Sequence, residues 1–390
     1  MQPFSYRNPV KVVFGKDCLK YLKKDLADVG STVLLVYGGG SIKRNGAYDA
    51  VTAALNEAGK TTVELSGIMA NPRTTKVEEG LALCRAHKVD FILAVGGGSV
   101  IDCSKAIAAA AALPEGEEAS YWDTYFVGGK SVKAALPLGT VLTMAATGSE
   151  MNQGCVVTHW EGQRKLSAHG PALFPKFSYL DPVFTYSLPK EQLVYGIVDM
   201  LSHLMEQYFS TPDESNVTDD LIEAVFKSIT ANAAVALERP DDYIARSNLM
   251  WNATLALNGL LSLGKRTDWM THQLEHAVSA FTDLPHGAGL AIIHPMYLTY
   301  VYKNCLPRFT RFATNVWGID PTQKTDEELA LAGIAALRSY FKSIGAPTTF
   351  TEVGITEDLL PAMAETSNRY PTAYSDFTTE DILAVYKSCL

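Results

Sequence analysis

The stretch Asp90-Phe91-Ile92-Leu93-Ala94-Val95-Gly96-Gly97-Gly98-Ser99-Val100-Ile101-Asp102 decides the fold. It opens on a short apolar run of the kind that forms a strand buried on both faces. The run stops at three glycines, and an alanine-rich helical stretch follows at once, from Ile101 to Leu113. Strand, glycine turn and helix form the unit from which parallel sheets are built. The unit recurs upstream. Thr32-Val33-Leu34-Leu35-Val36-Tyr37 ends in Gly38-Gly39-Gly40-Ser41, and a helical stretch follows near 46–58. Thr62-Val63-Glu64-Leu65 and the segment 135–142 read as further strands, and 74–88 as a helix. The expected fold class is α/β, a doubly wound, Rossmann-like parallel sheet. Near Leu188-Pro189 the texture changes, and from Glu191 onward long helical patterns dominate. The chain is therefore expected to divide into an α/β domain, 1–190, and an all-α domain, 191–390.

A length of 390 residues makes two domains the natural division. A net charge of -9, with no Lys/Arg-rich run, argues against a nucleic-acid surface. The longest apolar stretches are broken by Gly or charge well before 18 residues, so no membrane span is expected. Six scattered cysteines (Cys18, Cys84, Cys103, Cys155, Cys305, Cys389) form no C-x-x-C pair. Such spacing fits a reducing cytoplasm rather than a disulfide framework.

A glycine run between strand and helix lets backbone N–H groups approach phosphates, and the helix N-terminus favours negative charge. Two such turns in one α/β domain point to a nucleotide, although neither is the G-x-G-x-x-G fingerprint. The first turn also bears on which nucleotide. An acid after an early strand commonly binds the ribose 2′-OH and excludes a 2′-phosphate. Here the residues after Tyr37 are Gly38, Gly39, Gly40 and Ser41, followed by Ile42-Lys43-Arg44. Small donors and nearby cations suit a phosphate, so NADP(H) is expected. A third segment, from Thr143 through Thr147 to Glu150, follows a strand and is rich in hydroxyls and small residues; it suits cofactor contacts or an ordinary Ser/Thr loop equally.

His272, His276, His286 and His294 fall in one short stretch of a chain with only eight histidines. Asp199 and His203 are four residues apart, as are His272 and His276, so each pair shares one helix face. His286, in Leu284-Pro285-His286-Gly287, reads as a loop residue. Imidazoles with one carboxylate suit a catalytic divalent ion such as Zn2+ or Fe2+, whereas structural zinc sites favour cysteine. Spacing alone does not choose between His272 and His276 as ligand.

Taken together, the chain resembles the group III, metal-dependent (iron-containing) alcohol dehydrogenases, and most closely their NADP-dependent aldehyde reductase and butanol dehydrogenase branch. The matching elements span most of the chain. They include Phe14-Gly15-Lys16, both Gly-Gly-Gly-Ser turns, Asn71-Pro72, Asp102 with Lys105, and Ala146-Thr147-Gly148-Ser149-Glu150. Downstream they include Asp181-Pro182, Asp199 with His203, His272 with His276, and Pro285-His286-Gly287. The resemblance implies a dehydroquinate synthase-like fold, with the site in a cleft between a dinucleotide domain and a helical metal and substrate domain. It implies Asp199, His203, His272 and His286 as ligands of one Fe2+ or Zn2+, with His276 beside the substrate as a proton relay. It implies Gly97, Gly98 and Ser99 at the pyrophosphate, and Asp102 at the nicotinamide end. Thr143 and Thr147 would line the cofactor cleft, Lys165 would reach the ribose hydroxyls, and Asn71 would join the cofactor site. Gly38, Gly39 and Ser41 would surround the 2′-phosphate. The implied reaction is NADP(H)-dependent interconversion of aliphatic aldehydes and primary alcohols by a homodimer. The rivals are a metal-dependent lyase of the dehydroquinate synthase type, a metallohydrolase with no nucleotide, and a non-enzymatic metal-binding protein.

Overall fold

The computed structural model describes residues 1–114, 116–117, 120–209, 217–370, 374 and 376–390. Among them, β1 (Lys11–Phe14), β2 (Thr32–Tyr37), β3 (Thr61–Leu65), β4 (Phe91–Gly96), β5 (Leu138–Leu142) and β8 (Phe177–Leu180) form one sheet. Its order is β1-β8-β5-β4-β2-β3, with every pair parallel. β6 (Gly154–His159) and β7 (Arg164–His169) form a separate antiparallel hairpin. Helices α1 (Leu22–Ala27), α2 (Ser41–Arg44), α3 (Ala47–Glu57), α4 (Thr74–His87) and α5 (Gly98–Ala111) connect the first strands.

The apolar runs are explained by burial on both faces. Every residue of β4 is buried. Leu34 and Val36 of β2 with Ile92 and Ala94 of β4 face one core, shared with α4, α5 and the hairpin. Val33, Leu35, Phe91, Leu93 and Val95 face the other, shared with α1 and α3. Successive side chains on a strand point to opposite faces, so a strand with helices on both sides has no polar face to show. This is the doubly wound arrangement. α5 starts at Gly98, three residues before the expected Ile101.

The remaining helices are α6 (Lys190–Tyr208), α7 (Val217–Glu238), α8 (Tyr243–Ala256), α9 (Met270–Thr282) and α10 (His286–Val301). After them come α11 (Leu306–Arg311), α12 (Asp326–Ser343), α13 (Leu360–Thr366) and α14 (Thr379–Ser388). The chain divides into two compact units. One comprises Arg7–Leu188 with Arg239–Thr254; the other comprises Met1–Tyr6, Pro189–Glu238 and Leu255–Leu390. A single cut at 190 therefore follows the change of texture but not the packing. α8 is helical, yet most of it belongs with the sheet. Met250 joins the core under α5, Thr254 Oγ1 donates to Glu150 Oε1 at 2.5 Å, and Trp251 packs edge-on against Phe14 at 6.0 Å. In the helical unit α6 is buried along most of its length, and α10 packs against α6, α9, α12 and α14. Among the described residues no helix is long and apolar enough to cross a membrane.

Candidate metal centre and cofactor cradle

In the helical unit, three imidazoles converge on one carboxylate oxygen. Asp199 Oδ1 lies 3.5 Å from His203 Nε2, 3.9 Å from His272 Nε2 and 3.6 Å from His286 Nε2. Asp199 and His203 come from one face of α6, His272 from the first turn of α9, and His286 from the start of α10. Ligand atoms of Asp199, His272 and His286 all lie within 4.8 Å of one another, and His203 stacks on His272 with ring centroids 4.9 Å apart. Asp199 Oδ1 and His272 Nε2 are buried and make no hydrogen bond among the described residues. Buried polar atoms are rarely left so. Bonds of about 2.1 Å to a tetrahedral ion set ligand atoms about 3.4 Å apart, close to the spacings seen here. A divalent ion therefore fits this donor set.

The electrostatics agree. Burial alone would raise the Asp199 carboxyl, but the imidazoles of His203, His272 and His286 outweigh it and hold it down to about 2. Burial works against a charged His272 too, and there Asp199 and Glu206 prevail, raising it to about 9. His203 goes the other way, lowered to about 4 by burial, with Asp199 only partly opposing.

Two acids complete the cluster. Glu206 Oε1 accepts from His272 Nδ1 at 2.8 Å, and Glu275 Oε2 pairs with His286 Nδ1. Each acid sits three residues after a histidine, in His203-Leu204-Met205-Glu206 and His272-Gln273-Leu274-Glu275. Each serves a histidine of another helix rather than the one on its own, Glu206 of α6 that of α9 and Glu275 of α9 that of α10. Sequence reading missed both, although the repeated His-x-x-Glu spacing was there to find. His286 is not on a loop: it is the first residue of α10, with Pro285 at the N-cap. Proline and glycine density suggested a turn, but here the glycines permit close packing. A Cβ on Gly287 would overlap the backbone of Tyr195 in α6, and one on Gly289 would come 2.8 Å from Glu275 Cγ. His276 lies outside the Asp199 group; it clusters with Glu275 and His286, its ring 5.7 Å from that of His286. His294 is buried in α10.

In the sheet unit, register sets the residues expected at the cofactor side by side. Tyr37 pairs with Val95 and Gly96 with Leu142, so the turns after β2, β4 and β5 leave the same edge next to one another. Ligands of open α/β sheets bind outside the carboxyl ends of the strands. Gly97 caps α5 and Gly98 opens it. A Cβ on Gly98 would overlap the Thr147 side chain, and one on Gly97 would come 3.1 Å from Met144 Cβ; these glycines hold the turns together as well as exposing backbone. Ser99 follows in the first turn of α5. Thr143 N donates to Gly96 O at 3.0 Å. Gly39 has open space around it, and Ser41 begins α2. Lys165 Nζ donates to Asn71 Oδ1 at 2.9 Å, joining two expected cofactor residues far apart in sequence. Asn71 is left-handed, with φ 50, a conformation asparagine tolerates better than most residues. Asp102 Oδ1 accepts from Ser149 Oγ at 2.6 Å and Oδ2 from Val156 N at 3.0 Å. Burial pushes its carboxyl up to about 6.

Comparison with known proteins joins the metal cluster and the glycine turns to one family. The iron-containing alcohol dehydrogenase profile matches residues 9–182, and the C-terminal domain profile of Fe-containing alcohol dehydrogenases matches 193–390. The chain belongs to the iron-containing alcohol dehydrogenase family, whose members use a nicotinamide cofactor. It is 43% identical to the probable NADH-dependent butanol dehydrogenase 1 of Bacillus subtilis, covering 100% of both chains. It is 38% identical to the NADPH-dependent aldehyde reductase YqhD of Escherichia coli, over 93% of this chain and 92% of that one. The crystal structure of NADH-dependent butanol dehydrogenase A from Thermotoga maritima superposes with a TM-score of 0.94 at 38% identity. It covers 100% of this chain and 99% of that one.

Proposed function

We propose that the protein is an NADP(H)-dependent alcohol dehydrogenase working chiefly as an aldehyde reductase on short and medium aliphatic aldehydes. The observation that carries the reading is the convergence of His203, His272 and His286 on Asp199 Oδ1. When bound, a divalent Fe2+ or Zn2+ supplies Lewis acidity toward a carbonyl oxygen, and the reduced nicotinamide supplies the hydride. The chain's own residues do the positioning. Glu206 and Glu275 fix the ring orientation of His272 and His286, leaving their Nε2 atoms toward Asp199. Gly97 and Gly98 offer backbone to the pyrophosphate, and Asn71 with Lys165 faces the ribose. Six free, buried thiols support a reducing compartment, the cytoplasm.

The preference for NADP(H) rests on the turn after β2, where Gly38, Gly39 and Ser41 bring small donors, Arg44 lies close by and no acid intervenes. The relatives divide, those at 43% identity being named for NADH and one at 38% for NADPH. The kcat/KM for NADPH with butanal is expected to exceed that for NADH; equal or higher efficiency with NADH overturns this preference. His276→Ala is expected to retain bound metal and lower kcat by about 10²-fold, the scale of a lost proton relay. Metal analysis beside steady-state rates checks it, and an unchanged kcat reduces His276 to packing.

A further inference from the structure

Lys105 is a fully buried lysine on α5, two turns after Gly98. Lysine is almost never buried unless paired, and taking an ammonium from water is costly. Five oxygens surround its Nζ. They are Ser149 O at 2.7 Å, Ser149 Oγ at 3.0 Å, Asn152 O at 2.9 Å, Asn152 Oδ1 at 3.1 Å and Gly154 O at 2.8 Å. An ammonium has three protons, so five oxygens at this range resemble the shell of a bound monovalent cation more than a set of separate hydrogen bonds.

Three of the five are backbone carbonyls: Ser149 O and Asn152 O from the segment between β5 and β6, and Gly154 O from the first residue of β6. Backbone carbonyls turned away from water need partners, and Ser149 and Asn152 lie outside the strands. Lys105 provides those partners from one point. The contacts run onward to the glycine turn: Ser149 N donates to Thr147 Oγ1 at 3.2 Å, and Thr147 packs on Gly98. Asp102, one turn earlier on α5, holds the same segment through Ser149 Oγ and the adjoining β6 through Val156 N. Acid and ammonium on one helix thus clamp the loop against the start of that helix.

We infer that Lys105 is an internal cation on which the Thr143–Asn152 loop is assembled, a positioning residue that fixes the affinity for the nicotinamide cofactor without touching it. The inference rests on the cofactor reading above.

The test is a fluorescence titration of NADPH and NADH with the metal-loaded protein, wild type and Lys105→Ala, with and without n-propylammonium. That ion matches the atoms removed beyond Cβ. Lys105→Ala is expected to raise the Kd at least tenfold, and propylammonium to recover threefold or more of it while leaving wild type unchanged. Metal content should not change, because the ligands lie in the other unit. Wild-type affinity in Lys105→Ala overturns the inference. A loss that propylammonium does not reverse assigns Lys105 to packing and also overturns it. If Lys105→Ala does not fold, Ser149→Ala decides instead. It removes the hydroxyl shared by Lys105 and Asp102, and a Kd within experimental error of wild type overturns the role. Wild type that binds neither nucleotide removes the cofactor reading itself, and the inference with it.

Discussion

Asp199→Ala is expected to purify without bound metal and to lose aldehyde reduction by on the order of 10³ to 10⁵-fold. Lewis-acid stabilisation is worth several kcal/mol, and each 1.36 kcal/mol is about tenfold in rate. Asp199 is the only carboxylate in the Asp199–His272–His286 group, so its loss removes the charge that makes the site attractive to a cation. The substitution removes an acid that makes no hydrogen bond through Oδ1, from a helix whose other buried residues are mostly apolar. Metal analysis, circular dichroism and butanal-dependent NADPH oxidation on one preparation check it. A folded, metal-free Asp199→Ala protein with wild-type rate sinks the metal mechanism. His203→Ala should behave alike, because its Nε2 is the nearest of the three nitrogens to Asp199 Oδ1.

The strands that were legible in sequence are those buried on both faces. β2 and β4 carry near-continuous apolar runs because each has cores above and below, and glycine marks where each ends. β1 and β8 escaped notice because four residues hold too little pattern, and β1, at the sheet edge, buries neither Lys11 nor Phe14. The β6–β7 hairpin was missed for a different reason. Among the described residues its strands pair with each other and otherwise make the isolated Arg73–Thr158 bridge, so nothing in the βαβ rhythm called for it. α8 shows the limit of texture as a guide to domains, since a helix does not announce what it packs against. At the metal site, histidine spacing singled out the cluster but could not sort it. Glu206 and Glu275 lay in plain view, yet a search for ligand types alone passes over acids whose task is to hold an imidazole.

The second large effect is expected at Glu206. Its two oxygens take three donors: Oε1 accepts from His272 N at 2.9 Å and from His272 Nδ1 at 2.8 Å, and Oε2 from Trp269 N at 2.8 Å. Trp269 is left-handed, φ 71, a conformation that survives only where surroundings impose it. Glu206 imposes it, and so sets where α9 begins. One carboxylate on α6 thereby fixes both the backbone and the ring of the ligand on α9. Glu206→Gln keeps the size but turns one acceptor into an NH2. That group must face either the Trp269 N–H or the two His272 donors, so at least one buried donor loses its acceptor, at a cost of about 1–3 kcal/mol. The ring of His272 loses its charged partner as well. Outer-shell partners of this kind are worth about 10 to 100-fold in metal affinity, and the upper end is expected here because helix start and ring fail together. Competition with a chromogenic chelator measures the affinity, and a thermal melt of the metal-free protein measures the helix start separately. Glu275→Gln should weaken metal binding but leave the α9 N-terminus intact, because Glu275 pairs with His286 and does not cap that helix. Metal affinity within twofold of wild type for Glu206→Gln would mean that His272 holds its orientation by packing alone, and the cross-helix pairing would be a bystander.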